Sequence, residues 1–257
     1  MQDHTDEPRE HAGHVAIITG GGRGFGKAFG HALAERGAHV VLADIDASAA
    51  DEAAAEIVAA GGAATPWRCD VNDEQQVAAM VADIVADHGG IDILINNAGL
   101  HSQAFNEPMA NSGVDKLRML FDVNLMGTII CTLAAAPAMK DRPGASIVNI
   151  SSAAADGCQT AYGISKLAVR GITVTSAREL GADGIRVNAI APGLIFTDTI
   201  RAELPEAVVN VVKATQLIDL EGEERDVVEA MLFLVSDRAR FVTAETLRVG
   251  GGMSIHV

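Results

Sequence analysis

The stretch HVAIITGGGRGFGKAFGHAL, His14 to Leu33, passes from one kind of structure to another at its glycines. His14–Gly20 is a short apolar run closed by glycine, the pattern of a strand buried on both faces. The Ala-rich residues that follow, roughly 25–36, have helical spacing. Gly20, Gly24 and Gly26 therefore stand where a strand turns into a helix. Glycine there permits positive φ and lets the backbone come close to a ligand. The helix N-terminus beyond offers unpaired N–H groups and a partial positive charge, which suits a pyrophosphate.

Outward from this unit the same alternation repeats. HVVLAD (39–44), TPWRCDV (65–71), DILINNAG (92–99), SIVNISS (146–152), IRVNAIAPG (185–193) and TLRVGGG (246–252) read as further strands. Helices are expected at about 48–60, 73–88, 113–140 (broken), 160–182 and 223–236. Asn72 is placed to cap the third helix, with Gln75 three residues on completing a capping box. Strand–helix alternation of this kind predicts an α/β fold, a Rossmann-type doubly wound parallel sheet of about seven strands with helices on both faces. No linker or repeat divides the chain, so a single domain is expected over 14–257, after a disordered tail over 1–13.

Composition narrows the function. The chain has 257 residues, 49% hydrophobic and 21% charged, as in a soluble globular protein. A net charge of −15 disfavours nucleic acid and anionic membrane as partners, since both require a basic footprint. The uncharged run from Val123 to Met139 is shorter than a membrane span and reads as a buried helix. Cys69, Cys131 and Cys158 are odd in number and widely spaced, and the eight histidines show no ligand spacing, so neither disulfides nor a metal site is expected. The N-terminus lacks the apolar core of a signal peptide, and a reducing cytoplasm is the expected location.

Asp44 ends the second strand, 24 residues after Gly20. A carboxylate at that place accepts hydrogen bonds from both ribose hydroxyls of an adenosine and repels a 2′-phosphate, which argues for NAD. Arg23, just before Gly24, keeps NADP as the alternative.

The glycine spacing, Thr19-Gly20-x-x-x-Gly24-x-Gly26, resembles the short-chain dehydrogenase/reductase family, and the resemblance runs from about 14 to 252. It implies a dinucleotide site built from Thr19, Gly20, Arg23, Gly24, Phe25, Gly26, Asp44 and Ile45. Asp70 and Val71 would flank the adenine ring. In NNAG, Asn97 would brace the sheet while Ala98 and Gly99 line the cofactor. In PGLIFTDT, Pro192, Gly193, Ile195 and Thr197 would hold the nicotinamide carboxamide.

Tyr162, the chain's only tyrosine, and Lys166 are four residues apart on a predicted helix and share a face. A free tyrosine, with a pKa near ~10, is a poor base at neutral pH. A neighbouring ammonium stabilises the phenolate and turns the pair into a general acid/base. The resemblance adds Ser152, which would hydrogen-bond the substrate oxygen, and Asn124, which would bind a water connecting the lysine to solvent. Lys166 would also hold the cofactor ribose, so Tyr162 and Lys166 belong to the cofactor site too.

One spacing departs from the family. The residue thirteen before Tyr162 is Asn149, inside the strand, whereas Ser152 precedes it by ten. The loop 153–161 is therefore shorter than in most relatives, with a wider or altered substrate pocket expected. A second departure is Gly250, where relatives carry aspartate.

The expected function is an NAD-dependent oxidoreductase interconverting a secondary alcohol and a ketone without a metal. Substrate choice is assigned to 101–118, 153–161 and 196–220, whose Ala, Leu, Ile, Met and Val content, with Phe105 and Phe196, suits an apolar or alicyclic alcohol. His101, after NNAGL, is expected either in the pocket or on the surface, and His256 either at a neighbouring subunit's site or in a frayed tail. The competing expectations are an NADP-dependent ketone reductase and an inactive dinucleotide-binding scaffold. Helices 113–140 and 160–182, apolar on more than one face, imply by the resemblance a homotetramer.

Overall fold

A computed structural model describes residues 10–101, 105, 107–196, 209 and 213–253. Seven strands form one sheet: β1 (Val15–Thr19), β2 (His39–Asp44), β3 (Ala63–Arg68), β4 (Ile93–Asn96), β5 (Ser146–Ile150), β6 (Arg186–Pro192) and β7 (Thr246–Val249). Their order is β3-β2-β1-β4-β5-β6-β7, and every pairing is parallel.

The central strands are apolar throughout because each face has its own core. Ile18, Leu42, Ile95, Val148 and Ile190 point to one side. There they meet Phe29 and Leu33 of α1 (Gly24–Glu35), Ile57 of α2 (Ala47–Ala59) and Met231 of α9 (Glu224–Val235). Ile17, Val41, Leu94, Ile147 and Val187, one residue out of phase, point to the other. They meet Met80 of α3 (Glu74–His88), Cys131 and Met139 of α6 (Gly127–Met139) and Ala177 of α8 (Ala161–Leu180). The period of two along each strand thus feeds two helical layers.

A short α4 (Met109–Ser112) precedes α5 (Val114–Phe121). The chain then stays helical to Met139, but Asp122–Met126 is a π turn joining α5 to α6. The break expected in 113–140 is thus an extra residue in one turn, with Pro137 accommodated inside α6. The run Val114–Met139 is 26 residues long, with a mean hydropathy of 1.7 over its most apolar window, so by length and composition alone it could cross a membrane. That window is 44% buried against the rest of the chain, so one side packs on the core and the other faces outward. The whole run is longer than the uncharged stretch from Val123 because Asp115, Lys116 and Arg118 sit in its first turns.

Two further expectations are corrected. The cap of α3 is Asp73, whose carboxylate accepts the N–H groups of Gln75 and Gln76; Asn72 lies outside, its buried Oδ1 without a partner among the described residues. An acceptor-only carboxylate suits the orphan N–H groups of a helix start, and Asp73 stands one residue nearer to them. Residues 10–13, expected in the tail, are folded against the domain. Glu10–Gly13 forms a turn, with His11 buried and its N–H bonded to the Arg36 carbonyl at 2.9 Å.

Candidate active site

In a parallel sheet all strand C-termini lie on one edge. Thr19, Asp44, Asn96, Ile150 and Pro192 end their strands there. Sheet growth changes direction between β1 and β4, which opens a crevice at that edge.

The glycine loop crosses this crevice. Gly20 has φ +62° and lies against Ala98, while a Cβ on Gly26 would stand 2.0 Å from the Gly20 carbonyl oxygen. Only glycine fits Gly26. The loop is pinned from beneath: the Thr19 hydroxyl accepts the N–H groups of Asn97 and Ala98 at 3.0 Å each. In return the Asn97 amide donates to the Thr19 and Gly20 carbonyls, also at 3.0 Å. Thr19 and Asn97 are therefore internal braces, buried or half-buried behind the loop.

Arg23 is the N-cap of α1 and supplies no side-chain acceptor, so the first-turn N–H groups stay available. Gly24 has φ +49° and open space where a Cβ would stand. Phe25 stacks on Phe29, 6.0 Å between ring centroids, turning its bulk inward. These residues fit a pyrophosphate: orphan donors, a helix N-terminus and backbone unobstructed by side chains.

Asp44 accepts the Gly22 N–H at 2.9 Å through one oxygen and the Asp46 N–H at 3.0 Å through the other. Its carboxylate is thus held at the loop by two backbone donors. Arg23 is largely exposed and paired with Asp46, so its charge is already offset. Ile45 is exposed at the strand tip. Asp70 accepts the Asn72 N–H at 3.0 Å, and Val71 is buried against Gly127, where a Cβ would stand 2.6 Å from the valine methyl.

On the other side of the crevice, β5 delivers Ile150 and the two serines. Ser151 turns away, its hydroxyl donating to the Lys166 carbonyl at 2.8 Å. Ser152 Oγ accepts the Ala154 N–H at 3.1 Å and stands beside the Tyr162 phenol, whose pKa it lowers. The short loop coils into a one-turn helix, α7 (Ala154–Gly157), closed by Cys158 at φ +44°. That coil takes up the chain between Ser152 and Tyr162 and lets ten residues suffice. Thr160 caps α8 by accepting the Gly163 N–H at 3.2 Å.

Lys166 is fully buried; its Nζ donates to the Ile150 carbonyl at 2.8 Å and lies 5.9 Å from the Tyr162 ring centroid. Burial pulls its pKa down to about 8. Burial pushes the Tyr162 phenol up, against the Ser152 hydroxyl, which pulls it down.

Asn124 sits in the π turn and is buried. Its Oδ1 accepts the Leu100 N–H at 2.7 Å, and its Nδ2 donates to the Leu100 carbonyl at 3.2 Å and to Ser165 Oγ at 2.9 Å. Ser165 in turn donates to the Tyr162 carbonyl at 2.7 Å. The side chain thus ties the NNAG loop to α8. Gly99 lies between: a Cβ there would stand 3.2 Å from both Asn124 Oδ1 and Lys166 Nζ.

Pro192 closes β6, and its carbonyl accepts the Ala153 N–H at 2.8 Å; Gly193 donates to the Val249 carbonyl at 2.8 Å. A Cβ on Gly250 would stand 3.0 Å from Gly193 Cα, so the glycine that replaces aspartate permits close backbone contact. Ile195 is buried and pairs with Gly222. Thr197 and His256 lie outside the described residues; His101 is exposed.

The structure thus gathers the glycine loop, Asp44, NNAG, Asn124, Ser152, Tyr162, Lys166 and Pro192–Gly193 along one edge. A family model described as enoyl-(acyl carrier protein) reductase matches residues 20–254. The 3α-hydroxysteroid dehydrogenase of Mediterraneibacter gnavus is 39% identical over 244 residues, 92% of this chain and 95% of that one. This chain belongs to the short-chain dehydrogenase/reductase family. A solved short-chain dehydrogenase/reductase from Mycobacterium ulcerans superposes with a TM-score of 0.88 at 33% identity, over 95% and 90% of the two chains. So does 7α-hydroxysteroid dehydrogenase complexed with NADH and 7-oxo-glycochenodeoxycholic acid, with a TM-score of 0.88, 33% identity and 95% of each chain. As a short-chain dehydrogenase/reductase the protein is an oxidoreductase acting on small-molecule alcohols or ketones.

Sequence reasoning missed Ser165, Asp156 and Arg170 around this short-chain dehydrogenase/reductase site. Arg170 had one local signal: it follows Lys166 by four residues and so shares its helix face.

Proposed function

We propose that this enzyme interconverts a secondary alcohol and a ketone with NAD, through Tyr162, Lys166, Ser152 and Asn124. The observation that carries the reading is the convergence of two groups on Tyr162: the Ser152 side chain, which lowers the phenol pKa, and Lys166 Nζ, 5.9 Å from the ring centroid. The dinucleotide, when bound, exchanges the hydride with the substrate carbon. Tyr162 Oη gives a proton to the carbonyl oxygen in reduction and removes the hydroxyl proton in oxidation. Ser152 Oγ donates to the same oxygen, where charge develops. Lys166 favours the phenolate by its charge, and its remaining N–H groups are placed to take the ribose. Asn124 keeps Gly99, Leu100 and α8 in register beneath them.

Gly20, Gly24, Phe25 and Gly26 form the pyrophosphate cradle, and Pro192, Gly193, Ile195 and Thr197 hold the carboxamide end. NAD is favoured over NADP because Asp44 is fixed at the loop while Arg23 is paired with Asp46. For the substrate we take an apolar alicyclic alcohol. Leu217, Ile218 and Leu220, in a segment assigned to substrate choice, are all more than half exposed, and two similar proteins are hydroxysteroid dehydrogenases.

The test is turnover of a panel of alicyclic alcohols and ketones with each cofactor. NAD-linked turnover that Tyr162→Phe cuts by about 10²-fold or more is expected. Full activity in that variant would sink the mechanism, and a strong NADP preference would sink the Asp44 argument.

A further inference from the structure

Arg170 lies two turns beyond Tyr162 on α8, with little of its side chain exposed. All three of its guanidinium nitrogens are engaged. Nε donates to Ser151 Oγ at 3.2 Å and Nη2 to the Ser152 carbonyl at 2.8 Å. Nη1 pairs with the Asp156 carboxylate, which is buried in α7. Asp156 also receives Arg248 of β7, at 3.4 Å from both Nε and Nη2. One planar fork therefore holds the side chain before Ser152, the main chain of Ser152 itself, and the coil that follows it.

Such a fork has fixed geometry and cannot drift as a lysine ammonium can. A buried ion pair is poor evidence for added stability, and its better attested use is to fix a register. The register at issue is the shortened one. With nine residues between Ser152 and Tyr162, the loop could coil in several ways and carry Ser152 Oγ away from the phenol.

We propose that Arg170 and Asp156 form a clamp that positions Ser152 against Tyr162, so that Arg170 is a positioning residue for catalysis. The inference rests on the catalytic reading above, but it has a readout independent of turnover. Tyr162 is the chain's only tyrosine, so tyrosinate absorbance titrates that phenol alone. Trp67, the only tryptophan, reports unfolding over the same range. The groups bearing on the phenol are Ser152 from the loop and Lys166 from α8, with the charges of Asp156, Arg170 and Arg248 behind Ser152.

The experiment compares Arg170→Met, Arg170→Lys and Asp156→Asn with the unaltered enzyme. The clamp predicts that Met and Asn variants titrate their phenol at higher pH, because Ser152 no longer stabilises the phenolate. A mere change of charge predicts the reverse for Asp156→Asn, since removing a nearby carboxylate would lower the phenol pKa. We expect kcat to fall about 10- to 100-fold with little change in KM, as for a misplaced catalytic group, and Arg170→Lys to recover part of it. If a folded Asp156→Asn enzyme keeps its phenol titration and its kcat, the clamp is wrong. Should Arg170→Met fail to fold, Asp156→Asn, which keeps shape and volume, decides alone. Retained turnover in Tyr162→Phe would overturn the catalytic reading while leaving the phenol comparison intact.

Discussion

Tyr162 is pulled two ways. Burial favours its neutral form, and the Ser152 hydroxyl beside it opposes that preference. In the oxidation direction the phenolate is the working base, so the rate should rise with pH through the phenol pKa. Ser152→Ala removes a hydroxyl that lowers that pKa. The rising limb of kcat should therefore move to higher pH, and the plateau should fall by about 10²- to 10³-fold, as on loss of one oxyanion donor. A pH–rate profile of alcohol oxidation measures both; an unmoved limb would remove Ser152 from the site. Tyr162 and Lys166 were legible in the sequence because an i,i+4 pair on a helix is a local fact. Ser152 needed counting, since the strand end and the short loop left ten residues to span. Arg170 was hidden because its partners Ser151 and Ser152, just past β5, and Asp156, in α7, meet it only after folding.

At the scale of elements, the site depends on how closely α7 rests on α8. Gly163 makes that possible: a Cβ there would stand 2.6 Å from the Ala154 carbonyl oxygen. The same carbonyl accepts the Cys158 N–H at 3.2 Å and closes α7. Gly163→Ala should push the two helices apart, costing about 1–3 kcal/mol of stability as other overpacked substitutions do. Turnover should fall with it, because Ser152 begins the loop that is displaced. Chemical denaturation alongside kcat checks this; wild-type values for both would show that the contact has slack. Strand and helix identity was readable from period alone, since both sheet faces are covered and the apolar runs are continuous. Details at the ends were not. Asp73 and Asn72 are equally plausible caps by composition, and only the backbone decides which carboxylate or amide meets the free N–H groups. The π turn has no composition signal, because it is produced by one residue too many in an otherwise regular helix.

At the scale of the molecule, two stripes of apolar side chains face outward. Met119, Met126 and Leu133 follow one another at seven-residue steps, and Ile164, Leu167 and Val174 line α8; all six are more than a third exposed. Such contiguous apolar surface on packed helices marks an association face, and it supports the homotetramer proposed from the family resemblance. Light scattering should give a mass several times that of one chain. Leu133→Glu together with Leu167→Glu should lower it, whereas a monomeric unaltered protein would refute the association. Sheet order carries another consequence, for the sequence of assembly. β1 and β2 pair first in the chain; β3 joins the free edge of β2, β4 the free edge of β1, and β5, β6 and β7 each extend the strand before them. No later strand is inserted between two earlier ones. Pairings made while the chain is still emerging never need to reopen, even though Ala16 and Ile93, partners across β1 and β4, are far apart in sequence. The non-local contacts that slow the folding of parallel sheets are reached here by growth at open edges. The phosphate-binding half can be complete before the half that carries Tyr162 is made.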